Sequence, residues 1–310
     1  MDADLITQIL FAAIQTGTPL LMIALGEVIC EKSGVLNLGQ EGMMLMGAVV
    51  GFLAAYSTGS AGLGILSAVI MGVMMSLIFA FLVLQLEANQ VATGLALTIF
   101  GTGLSAFVGS DVVGQTIQGF QPIIIPVLSD IPIIGKIFFT HDLLVYISFL
   151  MAILVAYVAT KTRIGLILKA VGENPHAANA IGIKVLRVRY LAVMFGGAMA
   201  GLSGAYMSLV YTPMWVENMT SGRGWIALAL VVFASWRVGR ILLGAYLFGL
   251  ASIMHLVLQG MGWDISPNLL AMLPYVATVV VMVIISADHF KEKLLAPRSL
   301  GKPFDPRQMA

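Results

Sequence analysis

Apolar residues along this chain do not alternate with polar ones; they gather in long charge-free runs divided by short polar stretches. The runs are Leu5 to Gly26, Met43 to Ser57, Gly62 to Leu86, Val91 to Gly109, Leu143 to Thr160, Tyr190 to Tyr211, Trp225 to Trp236, Ile241 to Gly262 and Leu269 to Ala287. A helix needs about 20 mainly apolar residues to cross hydrocarbon, and most of the runs approach that length. Inside lipid only helices and closed barrels satisfy every backbone group, and the period-two alternation of a barrel is missing. The pattern predicts an all-α polytopic transmembrane helix bundle of about nine spans. This membrane domain covers 1–290, and a polar tail covers 291–310.

Two connections are too long for simple turns. Residues 110–142 hold Pro122, Pro126 and Pro132 among Ile and Val, which suits a packed, extended or partly re-entrant cover. Residues 161–189 are hydrophilic at their ends. Within them Asn174 can cap a helix that has Pro175 in its first position and Gly182 just past its end.

Two further interruptions invite comparison. Span 5–26 is followed by Gly34-Val-Leu-Asn-Leu-Gly-Gln-Glu-Gly42, and span 190–211 by Thr212-Pro213 and Ser221-Gly-Arg-Gly224; after each, an apolar helix restarts. Breaks at matching positions in two oppositely oriented halves point to an inverted-topology repeat with a solute site between the halves. Equally, both fit ordinary interhelical loops.

Composition and charge sharpen the picture. The chain is 59% hydrophobic and 10% charged, against about 25% charged in a soluble domain. Of 16 Lys and Arg residues, most fall in three clusters: Lys161 to Arg189, Arg237 with Arg240, and Lys291 to Arg307. The positive-inside rule places all three in the cytoplasm. Span parity then puts 110–142 and the N-terminus outside and the C-terminus in the cytoplasm. The Met-Asp-Ala-Asp start lacks the positive region of a cleaved signal peptide, so the first run is expected to stay as a span. The single cysteine, Cys30, excludes an intrachain disulfide and a cysteine-based metal site.

Candidate chemistry is sparse. His255 is the one ionisable residue expected deep in a span, as a packing residue or as a member of a proton relay. Glu27 and Glu31, one turn apart beside Lys32, are expected to form a solvated or locally paired cluster at the end of the first span. Glu41 can meet the dipole of the second span or face a solute path. Neither a phosphate-binding Gly-x-x-x-x-Gly-Lys-Ser/Thr loop nor a hydrolase motif occurs. No catalytic residue, cofactor, metal or nucleic-acid partner is expected. Energy therefore comes from a partner or from a gradient, and a structured helix within 161–189 favours a partner.

Four segments carry a resemblance over nearly the whole chain: Gly26 to Ala48 (GEVICEKSGVLNLGQEGMMLMGA), Ala88 to Gly94 (ANQVATG), Gly172 to Ile183 (GENPHAANAIGI), and Trp225 to Arg237 with Gly244 to Gly249. In these the chain resembles permease subunits of ABC importers of the simple sugar and nucleoside type, which are related to ribose and branched-chain amino acid permeases. It is most similar to the shorter permease of bacterial nucleoside importers. The resemblance implies an ABC ATPase, a second permease that is a different chain, an extracytoplasmic solute-binding protein and the bacterial cytoplasmic (inner) membrane. It implies that Glu173, Asn174, Ala177, Ala178, Gly182 and Ile183 form a coupling helix docked on the ATPase. It also implies that Asn37, Gln40, Glu41, Asn89 and Thr93 lie near the translocation path, although polar residues in a bundle also serve simply to bond neighbouring helices. One departure is visible: Phe233-Ala-Ser-Trp-Arg237 lacks the glycine expected after the phenylalanine.

Charged solutes usually meet opposite charges along a passage, and here the spans offer Asn, Gln, Thr and Ser. The expected solute is therefore neutral: a nucleoside, or alternatively a simple sugar. The alternative mechanism is a gradient-driven secondary transporter, which would require ionisable residues deep in the spans.

Overall fold

The computed structural model of the protein describes residues 3–260 and 296–305, together with positions 266, 269, 272, 276, 279 and 283. Eleven α-helices follow one another: α1 (Ala3–Lys32), α2 (Gln40–Thr58), α3 (Ala61–Ala80), α4 (Gln90–Gly109), α5 (Ile134–Phe138), α6 (Leu143–Lys161), α7 (Arg163–Glu173), α8 (Pro175–Ala180), α9 (Val185–Tyr206), α10 (Arg223–Phe233) and α11 (Val238–Gly260). Helices α3 and α9 each end in a π-turn, Phe81–Gln85 and Met207–Tyr211. Among the described residues the fold is all-helical, with two isolated β-bridges in place of strands.

Seven helices among the described residues are long and apolar enough to cross a membrane: Asp4–Lys32, Gln40–Thr58, Ala61–Gln85, Gln90–Val112, Leu143–Lys161, Val185–Tyr211 and Val238–Gly260. Two expected spans do not join them. The run Trp225 to Trp236 forms α10, whose 11 residues rise about 16 Å, half of the ~30 Å of hydrocarbon. The run Leu269 to Ala287 lies outside the described residues apart from isolated positions, as does the side chain of His255.

Local chemistry sets the helix ends. Ser60, Asn89, Asp142, Thr162 and Asn174 each accept a backbone N–H at the start of the helix that follows, satisfying donors that the helix itself cannot. Helix α1 stops at a Schellman turn: Gly34, at φ +90°, donates to Glu31 O, and Val35 donates to Cys30 O. Pro19, inside α1, has no N–H for the Gln15 carbonyl four residues back. That carbonyl instead accepts the Tyr206 hydroxyl at 3.1 Å.

At the centre, α1, α2, α3 and α9 pack backbone to backbone. A Cβ at Gly72 would overlap the Gly197 carbonyl, one at Gly201 the Ala68 carbonyl, and one at Gly204 the Met44 carbonyl. Small residues replace the hydrophobic drive that is absent between helices in lipid. Stretch 110–142 is irregular between a short 3-10 turn at Ser110–Val112 and α5. Gly114 donates to Trp215 O and Ile117 to Pro213 O, while buried His141 stacks on Phe11 and bonds Ile137 O. Burial holds the His141 pKa below its ordinary value.

Candidate functional site

Helices α1 and α9 run antiparallel, and their contacts provide a ruler. Gln15 meets Tyr206, Pro19 O accepts from Ser203 Oγ at 2.9 Å, Gly26 lies against Gly196 and Met199, and Ser33 O accepts from Arg189 Nε at 3.1 Å. After the Schellman turn the chain climbs back along α1 in non-helical form. Asn37 N donates to Glu27 Oε1 at 3.1 Å, and the Gln40 amide donates to Glu27 Oε2. Gln40 lies beside Gly196, near the middle of the span Val185–Tyr211. Helix α2 therefore begins partway along its neighbours rather than at their end. Irregular backbone at such depth is tolerated where protein encloses it, and here Asn37 Oδ1 also accepts the Gly39 N–H at 3.0 Å, as in an Asx turn.

The second break has a matching shape. Beyond Tyr211 the chain turns back into the bundle through buried Trp215 and Thr220, and α10 begins at Gly222, at φ +81°. The two breaks meet at Glu41. Its Oε1 accepts from Gly222 N at 2.8 Å and from the Thr220 hydroxyl, and its Oε2 accepts from Gly224 N at 2.6 Å. A carboxylate of the first turn of α2 thus caps the N-terminus of α10, where orphan N–H groups and the positive dipole end favour a negative charge. Gly224 is required there, because a Cβ would stand 2.7 Å from the Glu41 backbone and carboxylate.

The other end of α10 is held in the same fashion. The Trp236 indole donates to Glu31 Oε2. To bring it there, Ser235 and Trp236 both take positive φ, 51° and 57°, conformations that non-glycine residues adopt at a cost. This is the stretch where the expected glycine is missing.

The carboxylates near the end of α1 correct one expectation. Glu27, Glu31, Asn37, Gln40 and Glu41 are each at most 4% exposed, so Glu27 and Glu31 are not a solvated cluster. Helix α1 continues to Lys32 and carries both into the bundle, where a charge-free count from Leu5 to Gly26 had ended the span. Deep ionisable groups are present, and their supposed absence no longer argues against gradient coupling.

Of the other residues singled out in the sequence, Asn37, Gln40 and Glu41 come together, whereas Asn89 is an exposed N-cap of α4 and Thr93 is half-buried beside it. The face of α4 that touches the first break was missed: Gln90 Oε1 accepts from Leu36 N at 2.8 Å, Gly94 abuts Leu38, and Thr98 Oγ1 donates to Leu38 O at 2.9 Å. The four-residue spacing of Gln90, Gly94 and Thr98 was the available signal.

The short helix expected after Asn174 is α8. Asn174 Oδ1 accepts from Ala177 N at 3.0 Å. A Schellman turn ends the helix, with Gly182 at φ +89° donating to Asn179 O and Ile183 donating to Ala178 O. Asn174, Ala177, Ile181 and Gly182 are exposed, Glu173 and Ile183 are half-buried, and Ala178 faces inward.

The sequence pattern of the branched-chain amino acid transport system permease component matches residues 9–286. The chain belongs to this permease family. The permease is also similar to a putative glucose ABC transporter permease protein of Haloferax volcanii, 44% identical over 84% of this chain and 80% of that one. A guanosine ABC transporter permease protein of Bacillus subtilis is 33% identical over 94% and 95% of the two chains. A nucleoside ABC transporter permease protein of Lactococcus lactis is 33% identical over 92% of each. No solved structure gives a significant match. The permease is accordingly a transport subunit of the ABC class and not an enzyme.

Replacing Glu41 by Ala strands three donors of the permease, those of Thr220 and Gly224 in buried bonds and that of Gly222 in a partly buried one, at about 1–3 kcal/mol for each buried unsatisfied group. Glu41→Ala is expected to lower the detergent melting temperature sharply and Glu41→Gln by less. Paired thermal unfolding curves check this, and an unchanged midpoint for Glu41→Ala would contradict the capping role.

Proposed function

We propose that the permease carries a neutral, hydroxyl-rich solute inward, a nucleoside first, in an importer powered by a partner ATPase. The carrying observation is what the charges at the two breaks already do. Glu41 is engaged by Gly222, Gly224 and Thr220, and Arg223 Nη1 donates to Met219 O and Thr220 O while its guanidinium lies over Tyr211. Both oxygens of Glu41 are engaged and Arg223 is directed at carbonyls of its own loop, so a charged solute would have to displace existing partners, and burying an unpaired charge costs at least ~2.5–3.5 kcal/mol. Relatives named for guanosine and nucleoside transport align over nearly the whole chain and support the nucleoside. The relative named for glucose, at 44% identity, favours a simple sugar as the second reading.

In this reading the units α1–α2 and α9–α10 form an inverted-topology repeat. Each has a long span, a break and a helix that restarts within the bundle, and Glu41 stands where the restarting ends meet. Such discontinuous helices flank solute sites in transporters. Asn37, Gln40, Asn89 and Thr93 lie along the path. Helix α8 receives the ATPase. A second, different permease completes the passage, and an extracytoplasmic binding protein delivers the solute. The basic clusters put 161–189 and the tail in the cytoplasm, with 110–142 and the N-terminus outside, in the bacterial inner membrane. A half-crossing α10 keeps that parity, because the chain re-enters from the Tyr211 end of α9 as irregular backbone and α10 carries it on to Glu31, at the opposite end of the bundle.

Uptake in cells lacking other carriers should show labelled guanosine or uridine entering, with the monophosphates neither entering nor competing. Entry of glucose alone would select the second reading, and competition by monophosphates would sink the neutral-solute argument. For orientation, impermeant labelling of cysteines placed at Ser129 and Ala310 should mark Ser129 from outside and Ala310 only after permeabilisation. Labelling of both from one side would overturn the arrangement.

A further inference from the structure

The C-terminal segment Ala296–Asp305 does not hang free; it is inserted between α8 and the first break. Ser299 N donates to Gly172 O at 2.9 Å, and its hydroxyl donates to the same carbonyl at 2.6 Å. Gly301 N donates to Gly34 O at 3.2 Å, in the turn that ends α1. Phe304 is buried with Val171, Ala178 and Val185, its ring 5.1 Å from that of His176.

Arg189 ties these contacts together. Sequence places it in a cytoplasmic basic cluster, yet it is fully buried. Nε donates to Ser33 O at 3.1 Å, Nη2 to Ser299 Oγ at 3.3 Å and Nη1 to Lys302 O at 3.4 Å, and the guanidinium lies over the Phe304 ring at 5.7 Å. A planar fork with several fixed donors suits such a junction, where a lysine would not. From Lys302 O the contacts continue through Gln90 Nε2, at 3.4 Å, and Gln90 Oε1 to Leu36 N, at 2.8 Å. Leu36 adjoins Asn37, which holds Glu27, and Gln40 and Glu41 follow. Close fit is built into both anchor points: a Cβ at Gly172 would overlap the Lys32 carbonyl, and one at Gly34 the Ser299 hydroxyl. The exposed ion pair Arg298–Glu173, at 3.6 Å, adds little.

We propose that Ala296–Asp305 is a transmission strap: it carries displacement of α8 to the break at Ser33–Gly39, with Arg189 as the positioning residue. The proposal rests on reading α8 as the ATPase-docking helix. In that arrangement α8 reaches the break through two routes, α7 with its Gly172 contact on Lys32, and the strap. Coupling between distant sites is carried by chains of packed side chains and hydrogen bonds that take two discrete arrangements.

The test uses the complete transporter, purified with its ATPase and reconstituted, with whichever of labelled guanosine and glucose the wild type accumulates. Phe304→Ala and Ser299→Ala are expected to keep the ATPase bound and hydrolysing, while solute moved per ATP falls at least about fivefold, the lower range of allosteric coupling. Phe304→Leu, which refills the apolar site, should restore the ratio. An unchanged ratio in the alanine variants would overturn the strap, whatever their yield. So would loss of the bound ATPase, since the segment would then merely present α8. Should Phe304→Ala fail to accumulate, Ser299→Ala, which removes one hydroxyl, is read by the same criteria. Ala177→Asp, on the exposed side of α8, is measured in parallel. If it leaves ATPase binding and transport intact, the docking reading fails, a result separate from any change in the tail variants.

Discussion

The carboxylate of Glu41 lies inside a bundle of apolar helices, where an ionised group without partners would cost several kcal/mol. Three donors from the second break, Thr220, Gly222 and Gly224, surround it. This arrangement obliges two segments far apart in sequence to reach the same depth. Helix α2 must begin partway along α9, and the chain after Tyr211 must turn back into the bundle before α10 can start. The Schellman stop at Gly34, the Asx turn at Asn37 and the Gln40–Glu27 bond all serve to bring Glu41 to that point. Glycine contacts among α2, α3 and α9 bring the backbones close enough for the bonds to form.

At the Lys32 end of α1 the same logic operates with different residues. Glu27 is held by Asn37 and Gln40, and Glu31 by the Trp236 indole at the cost of two positive-φ residues. Buried carboxylates in a membrane protein are by default candidates for ion or proton handling. Here Glu27 and Glu41 are fully engaged in fixing breaks, and Glu31 anchors α10 through one of its oxygens. The acidic side chains thus define the shape of the bundle, and the tail segment 296–305 connects that shape to α8.

Features set by neighbouring residues were legible in the sequence. The α8 cap by Asn174, its Pro175 start and its Gly182 stop depend on atoms within a few positions, and so do the apolar lengths of most spans. Features set by distant partners were not. Hydropathy ended the first span at Gly26 because Glu27 and Glu31 count as polar, and nothing local shows that Gln40 and Trp236 will receive them. The run Trp225 to Trp236 has the composition of a span, but its starting depth is fixed by Glu41, well over a hundred residues away. Arg189 reads as one more cytoplasmic charge until the tail folds over it. For α4, the family resemblance drew attention to Asn89 and Thr93, whereas contact with the first break is made by the face of Gln90, Gly94 and Thr98.

If the buried carboxylates hold helix ends and do not carry ions, then transport draws on ATP alone. Right-side-out vesicles containing the complete transporter test this directly, by following uptake of whichever of labelled guanosine and glucose they accumulate as proton and sodium gradients are collapsed with ionophores while internal ATP is maintained, and then as ATP is depleted while the gradients are maintained. Uptake should be unaffected by the first treatment and abolished by the second. Uptake that collapses with the gradients while ATP remains would show that Glu27, Glu31 or Glu41 handles an ion, and would contradict the structural role given to them.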